Sequence, residues 1–328
     1  MRVRSKALLF LAILLCSLLN AADYRIEVLR RTPIGPAAPG KFHRLTVCPD
    51  GTSVLTAADG DLTVIAADGA LLASKTGVPE LCYALASSCD ENRRLYIDTA
   101  GTVHVFELRT SGEPVPVRTI RVGGAPRRIL AAAGRLVVLG LVDVRTPVAL
   151  RMFDIAAGCE IGPLDLDLPV FVGRRPQRLV TEGSLIWDPA RREFLCLPAN
   201  PLRFWRYDTD GRFLGAVSPP VFTFHDADPA RVGPGDFRNV DRVFNAVRLP
   251  GGRFVLHILR SRASRRPGVR GGYLMLLGRD FEPLDLEIDT TPVHGSPLAG
   301  ADARGNLYFA YLSETREAEV IQARLAAR

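Results

Sequence analysis

Short apolar runs of four to eight residues, rich in Val, Leu, Ile, Phe and Tyr, recur along this chain between Asp-Gly, Gly-Gly and Pro turns. Each run has the length and composition of a β-strand, and the turn residues have a physical role. In YDTDGRFLGAVSPP (207–220), Gly211 accepts a positive φ without a Cβ clash, and the Asp208 carboxylate can bond the local backbone. Asp208, Asp210 and Gly211 therefore read as a hairpin rather than a calcium loop. The run lacks the third Asp and distal Glu that such a loop needs.

The strands group in fours. One unit runs from His43 to Thr76, a second from CYALASS to about Ile120, and a third from RRILA to CEIGPLDL. A fourth runs from SLIWD to RFLGAVS, a fifth from VFNAVRL to FEPLDLEI, and a sixth from LAGAD to AEVIQARL. The sixth lacks a fourth strand, while YRIEVLR at 24–30 is a strand without a unit. A four-stranded unit cannot bury both faces alone, and an open array leaves exposed edges. Pairing 24–30 with the last unit closes the ring, predicting an all-β fold: a six-bladed β-propeller of four-stranded antiparallel blades. Residues 168–182, 219–241 and 259–271 are expected insertions. The proline- and aspartate-rich 219–241 segment argues against a seventh blade.

The chain opens with MRVRSK, followed by a thirteen-residue apolar run from Ala7 to Leu19. That run is short for a bilayer span and reads as a secretory signal over 1–22. The expected mature chain, 23–328, is one propeller domain, secreted or periplasmic, without a transmembrane span. Of the formal charge of +7, three units lie in Arg2, Arg4 and Lys6, and the modest remainder does not argue for nucleic acid. Past residue 22 the cysteines are Cys48, Cys82, Cys89, Cys159 and Cys196, an odd number with no C-x-x-C pair. A core this large needs no disulfide, so buried, unpaired cysteine is expected.

RFWRYDTDGRFLGAV, preceded by a strand, a PARRE turn and another strand, resembles the NHL-type six-bladed β-propellers. The resemblance covers nearly all of the chain after residue 22. It implies the fold and leaves function open, since such repeats serve enzymes, receptors and scaffolds.

In a propeller the innermost strands open onto one mouth of a central channel, where ligands usually sit. His43, Arg128, Glu182 and Arg242 stand at or just before the openings of inner strands and are the candidate ligand-binding residues, with Arg127 and Asp241 adjacent. The expected role is a binding or scaffold domain for a protein or small-molecule ligand, without a cofactor. The alternative is a metal-dependent lyase or lactonase. Some NHL-type lyases hold zinc with three histidines, and here His43, His225 and His294 each lie just before an inner strand or in the insertion ahead of one. Six-bladed lactonases hold a divalent cation such as calcium, for which Glu182, Asn245 and Asp302 are the available oxygens.

His104 and His257 alternate with apolar residues and read as strand residues. Arg262, Arg265, Arg266 and Arg270 crowd one hairpin, where a solvated loop is expected. Trp187, Trp205 and Tyr207 cluster in the fourth unit and are expected in the core rather than on a sugar ring. No nucleophile elbow, phosphate loop or zinc-protease motif occurs.

Overall fold

Turn chemistry sets the strands apart. In the first hairpin of the second unit, Asp90 Oδ1 accepts from the amides of Asn92 and Arg94, each at 2.9 Å, while Oδ2 accepts from the Tyr96 hydroxyl at 3.0 Å. Asp302 repeats this in the sixth unit, accepting from the Arg304 and Asn306 amides and from the Tyr308 hydroxyl. Asp208 likewise receives the amides of Asp210 and Arg212, with Gly211 at φ +84°.

The computed structural model describes residues 24–36, 44–141, 149–164, 179–221, 224–227, 240–261, 272–312 and 317–327. The predicted signal, His43, the Arg-rich run 262–270 and most of the three insertions lie outside the described residues.

Six four-stranded antiparallel sheets form the fold. After β1 (Tyr24–Pro36), blade 1 holds β2 (Arg44–Val47), β3 (Ser53–Thr56), β4 (Leu62–Ile65) and β5 (Leu71–Lys75). Blade 2 holds β6 (Ala86–Cys89), β7 (Arg94–Thr99), β8 (Thr102–Leu108) and β9 (Pro114–Arg121). Blade 3 holds β10 (Ala125–Ala132), β11 (Arg135–Leu141), β12 (Ala149–Asp154) and β13 (Cys159–Leu164). Blade 4 holds β14 (Ser184–Asp188), β15 (Glu193–Leu197), β16 (Phe204–Tyr207) and β17 (Phe213–Val217). Blade 5 holds β18 (Arg242–Arg248), β19 (Phe254–Leu259), β20 (Gly272–Leu277) and β21 (Pro283–Ile288). Blade 6 holds β22 (Leu298–Ala301), β23 (Leu307–Leu312) and β24 (Glu317–Ala327), and β1 supplies its fourth strand.

The first strands lie side by side in the order β2, β6, β10, β14, β18, β22, with β22 returning to β2. The chain is a six-bladed β-propeller. As predicted, the N-terminal strand closes it, from Tyr24 opposite Ala327 to Pro36 opposite Glu317. β1 is longer than the seven residues expected, and its prolines are tolerated because an outermost strand needs no ladder on its far side.

Each pair of neighbouring blades encloses one apolar cluster, six in all. Middle strands are buried on both faces. In β19, Phe254, Leu256 and Ile258 pack towards blade 4, and Val255 packs towards blade 6. Such strands read as unbroken apolar runs instead of alternating ones. Trp205 and Tyr207 join the cluster between blades 3 and 4, as expected of core aromatics.

Polar side chains stitch the inner strands together. Thr46 meets Ser87 between blades 1 and 2, and Ser88 Oγ receives the Ala131 amide between blades 2 and 3. Ser184 donates to Asn245 Oδ1 and receives the Ala246 amide between blades 4 and 5. Asn245 Nδ2 donates to the carbonyls of Leu298 and Ala299 in blade 6. At the closing seam Gly300 lies so near β2 that an added Cβ would come within 2.8 Å of the Val47 Cβ.

The cysteine expectation fails for one pair. Cys48 and Cys89 form a disulfide joining the ends of β2 and β6. The missed signal is positional: Cys48 follows β2 and Cys89 ends β6, and adjacent blades bring those strand ends together. Cys196 is buried as a thiol, which burial raises to about 12, whereas Cys82 is half-buried and Cys159 exposed.

Ile26 of β1 is buried and Leu29 is exposed. Ile26→Ala is therefore expected to cost about 2–4 kcal/mol, read as a lowered urea midpoint, while Leu29→Ala leaves the midpoint nearly unchanged. Equal effects would show that β1 does not seal the last blade. Cys48→Ala with Cys89→Ala releases a crosslink spanning 41 residues. In the chain-entropy account this lowers stability by up to about 4 kcal/mol, and reducing agent should do the same to the wild type alone.

Candidate functional site: the central channel

Six inner strands meeting edge to edge around an axis leave a channel of about 500 Å³. Its wall is mostly apolar, with Leu45, Val47, Leu130, Leu185, Phe244 and Val247 among its residues. Thr46, Ser87, Ser184 and Asn245 also line it, but their polar atoms are turned to one another or to backbone in the stitches between blades. A concave apolar cavity of this size with few polar groups has the dimensions of a small-molecule site.

The mouth at which the inner strands begin is cationic. Arg44 opens β2 and donates through Nη1 to the Leu85 carbonyl of blade 2. Arg128, from β10, donates through Nε to Gly183 O at 2.5 Å and through Nη2 to Glu182 O at 2.8 Å. The same Nη2 reaches Phe244 O at 3.2 Å, and Nη1 donates to Arg127 O at 3.2 Å. One guanidinium thus ties blade 3 to the approach of blade 4 and to the inner strand of blade 5. Burial lowers the pKa of Arg44 to about 9, with the Arg128 charge as the next cause and Asp98 opposing. Burial also lowers Arg128, against the raising effect of Glu182. Two cations are therefore held within electrostatic range of each other in a poorly solvated space.

Behind Arg44, Asp98 of β7 is fully buried. Its Oδ1 accepts from the Gly101 amide at 3.1 Å, and its Oδ2 has no hydrogen-bond partner among the described residues. Burial raises its pKa to about 7, against lowering by the Gly101 bond and the Arg44 charge. His257 of β19 is also buried: Nδ1 accepts from the Leu298 amide at 3.1 Å, and burial lowers its pKa to about 4. It holds the seam between blades 5 and 6 as a neutral imidazole.

Of the residues predicted from sequence, Arg128 and Glu182 come together at this mouth. Arg242 is half-buried on β18 and does not line the cavity. His43 lies outside the described residues. His225 Nδ1 is 2.9 Å from the buried Asp241 carboxylate, and His294 packs at a tilt on Tyr311, 4.8 Å between ring centres. Neither histidine lines the channel. Asn245 is spent on inter-blade bonds, and Asp302 on its turn at the opposite mouth. Among the described residues no three His, Cys, Asp or Glu side chains are grouped as metal ligands. Trp187 lines the channel and packs on Phe194, 4.7 Å away, so of the three clustered aromatics it alone faces the cavity.

Arg44, next to His43 in the chain, lines the channel and was not among the residues nominated from sequence. The sequence carries only a coarse signal: Arg44 opens β2, Arg128 lies within β10 and Glu182 precedes β14, each ahead of its hairpin turn. In strands a slip of one residue turns a side chain to the opposite face.

No family model matches the sequence, and no curated relative does. Solved structures share the fold. A member of the DUF4221 family from Bacteroides vulgatus is 8% identical, with a TM-score of 0.61 over 94% of this chain and 100% of that one. BamB from Moraxella catarrhalis is 11% identical, with a TM-score of 0.52 over 90% of this chain and 99% of that one. The virginiamycin B lyase of Staphylococcus aureus is 10% identical, with a TM-score of 0.52 over 92% and 99%. At these identities the likeness is one of architecture.

The buried Asp98 allows a test. Its folded pKa lies above the ordinary carboxylate value of about 4, so the folded protein keeps a proton that the unfolded chain releases. Its stabilising contribution is complete below that unfolded value and is lost as pH rises through about 7. Asp98→Asn should therefore raise the melting temperature at pH 8 and leave it little changed at pH 4. An equal effect at both values would show that Asp98 does not change protonation state between them.

Proposed function

We propose that this protein is an exported propeller that binds a small molecule in its central channel, without chemistry of its own. The observation that carries the reading is the channel: apolar walls, wall polar groups spent on holding blades together, and a cationic mouth. Export to a periplasm or the exterior is supported by the N-terminal MRVRSK and apolar run, and by the Cys48–Cys89 disulfide, a bond that persists in oxidising compartments. Among the described residues no helix is long and apolar enough to cross a membrane. The NHL-type assignment stays part of this proposal and rests on the RFWRYDTDGRFLGAV unit.

Lyase or lactonase activity with zinc or calcium is the competing proposal. It would need His43, His225 and His294, or Glu182, Asn245 and Asp302, to converge. It ranks second because His225 and Asp302 are bonded away from the channel and the Asn245 amide is committed to blade 6 carbonyls.

Trp187 supplies the test, because the second tryptophan, Trp205, is buried between blades. Protein exported into a periplasm should carry a molecule visible by native mass spectrometry. Its extraction should shift the emission of the wild type, while Trp187→Phe shows no shift. A bound molecule whose removal leaves Trp187 unchanged would place the ligand outside the channel. Protein that carries nothing, and answers to no member of a panel of small amphiphiles, would end the reading.

A further inference from the structure

The Arg44 and Arg128 guanidiniums differ in what they have left to give. Arg128 has five N–H groups, and the described hydrogen bonds engage Nε, both directions of Nη2 and one of Nη1. It is a structural cation with a single donor to spare. Arg44 engages one N–H, at Nη1, with the Leu85 carbonyl. Its remaining fork keeps the planar, two-pronged geometry that matches an oxyanion.

Neither arginine is ion-paired within 4 Å to a described carboxylate, although each has one in electrostatic range: Glu182 beside Arg128, and Asp98 behind Arg44. Half-buried like charges without close counterions are unfavourable, and an anion bound between them relieves that cost. With Arg127 also adding positive charge at Arg128, the cations at the mouth exceed the carboxylates by little. The balance suits one negative charge better than two.

Beyond the mouth the wall is aliphatic and aromatic, with Leu45, Leu130, Leu185, Phe244 and Val247 among its residues. Inner strands of four to eight residues make the channel roughly 13–26 Å long at about 3.3 Å per residue. Such a tube takes a medium-length acyl chain end-on.

Deepening the channel-binding reading and resting on it, we propose that the ligand is a monoanionic amphiphile: its carboxylate sits on the Arg44 fork beside Arg128, and its apolar body lies along the channel. The positive mouth steers the anion in, and burial of the chain supplies affinity in proportion to the apolar area removed from water.

Titration calorimetry on the full mature chain, with decanoate as the charged probe and decanol as its uncharged counterpart, tests this directly. Decanoate should bind wild-type protein at least ten-fold more tightly than decanol. Arg44→Met should weaken decanoate ten- to a hundred-fold, roughly the loss of a charge-assisted hydrogen-bond pair, and leave decanol unaffected. Arg44→Lys, which keeps the charge but not the fork, should fall between. Arg128 is avoided because its loss would also release three carbonyls of blades 4 and 5, and circular dichroism verifies that the Arg44 variants stay folded. Equal binding of both probes, or decanoate binding indifferent to Arg44→Met, would overturn the headgroup assignment while leaving an apolar-ligand channel standing. Binding of neither probe would overturn the amphiphile itself; the channel reading would fall with it only if exported protein also carried no molecule.

Discussion

Each blade presents two apolar faces, and neither can be buried within the sheet that carries it. Everything else in the structure follows from that constraint. A middle strand such as β19 sends alternate residues into clusters on opposite sides, so every blade depends on two neighbours. Six blades satisfy this only if the last meets the first. The pairing of β1 with β24 supplies the missing strand, and the seam beside it closes through the near approach of Gly300 to Val47. A linear array of the same units would leave one apolar face and one strand edge in water at each end.

Closure has a second consequence, because the inner strands are edges that face one another across an axis. Their polar side chains answer the problem locally. Thr46, Ser88, Ser184 and Asn245 bond across blade boundaries and spend their hydrogen-bonding capacity there. What the channel keeps is an apolar wall. At the mouth the same stitching role falls to Arg128, which reaches carbonyls of blades 4 and 5, and its charge comes with it. Arg44 does little stitching by comparison. A cation that the fold does not fully use, beside an apolar tube, is the feature on which the functional reading turns.

The turns explain why the repeat was legible. Asp90 with Tyr96 and Asp302 with Tyr308 make the same arrangement at equivalent points in blades 2 and 6, one carboxylate collecting two amides and a phenol. Because those bonds are local in the chain, their sequence signature survives without knowledge of the fold. Strand number, the four-strand grouping and the closing role of 24–30 could be read for the same reason. The site was less legible. Nominating inner-strand openings pointed to Arg128 and Glu182, which meet at the channel mouth, but did not include Arg44. Asp98 passed unnoticed, since only packing shows that a lone carboxylate in RLYIDT has no water around it.

What the sequence determined by itself was therefore the local part: strands, hairpins, the count of units and the spare strand that completes them, all set by turn chemistry and short-range pattern. The tertiary structure decided what depends on distant residues meeting. It joined Cys48 to Cys89, turned Trp187 to the cavity and Trp205 to the core, and set Arg44 within electrostatic range of Arg128. Cys48 and Cys89 lie on different blades, as do Arg44 and Arg128. Their proximity exists only once the ring has closed.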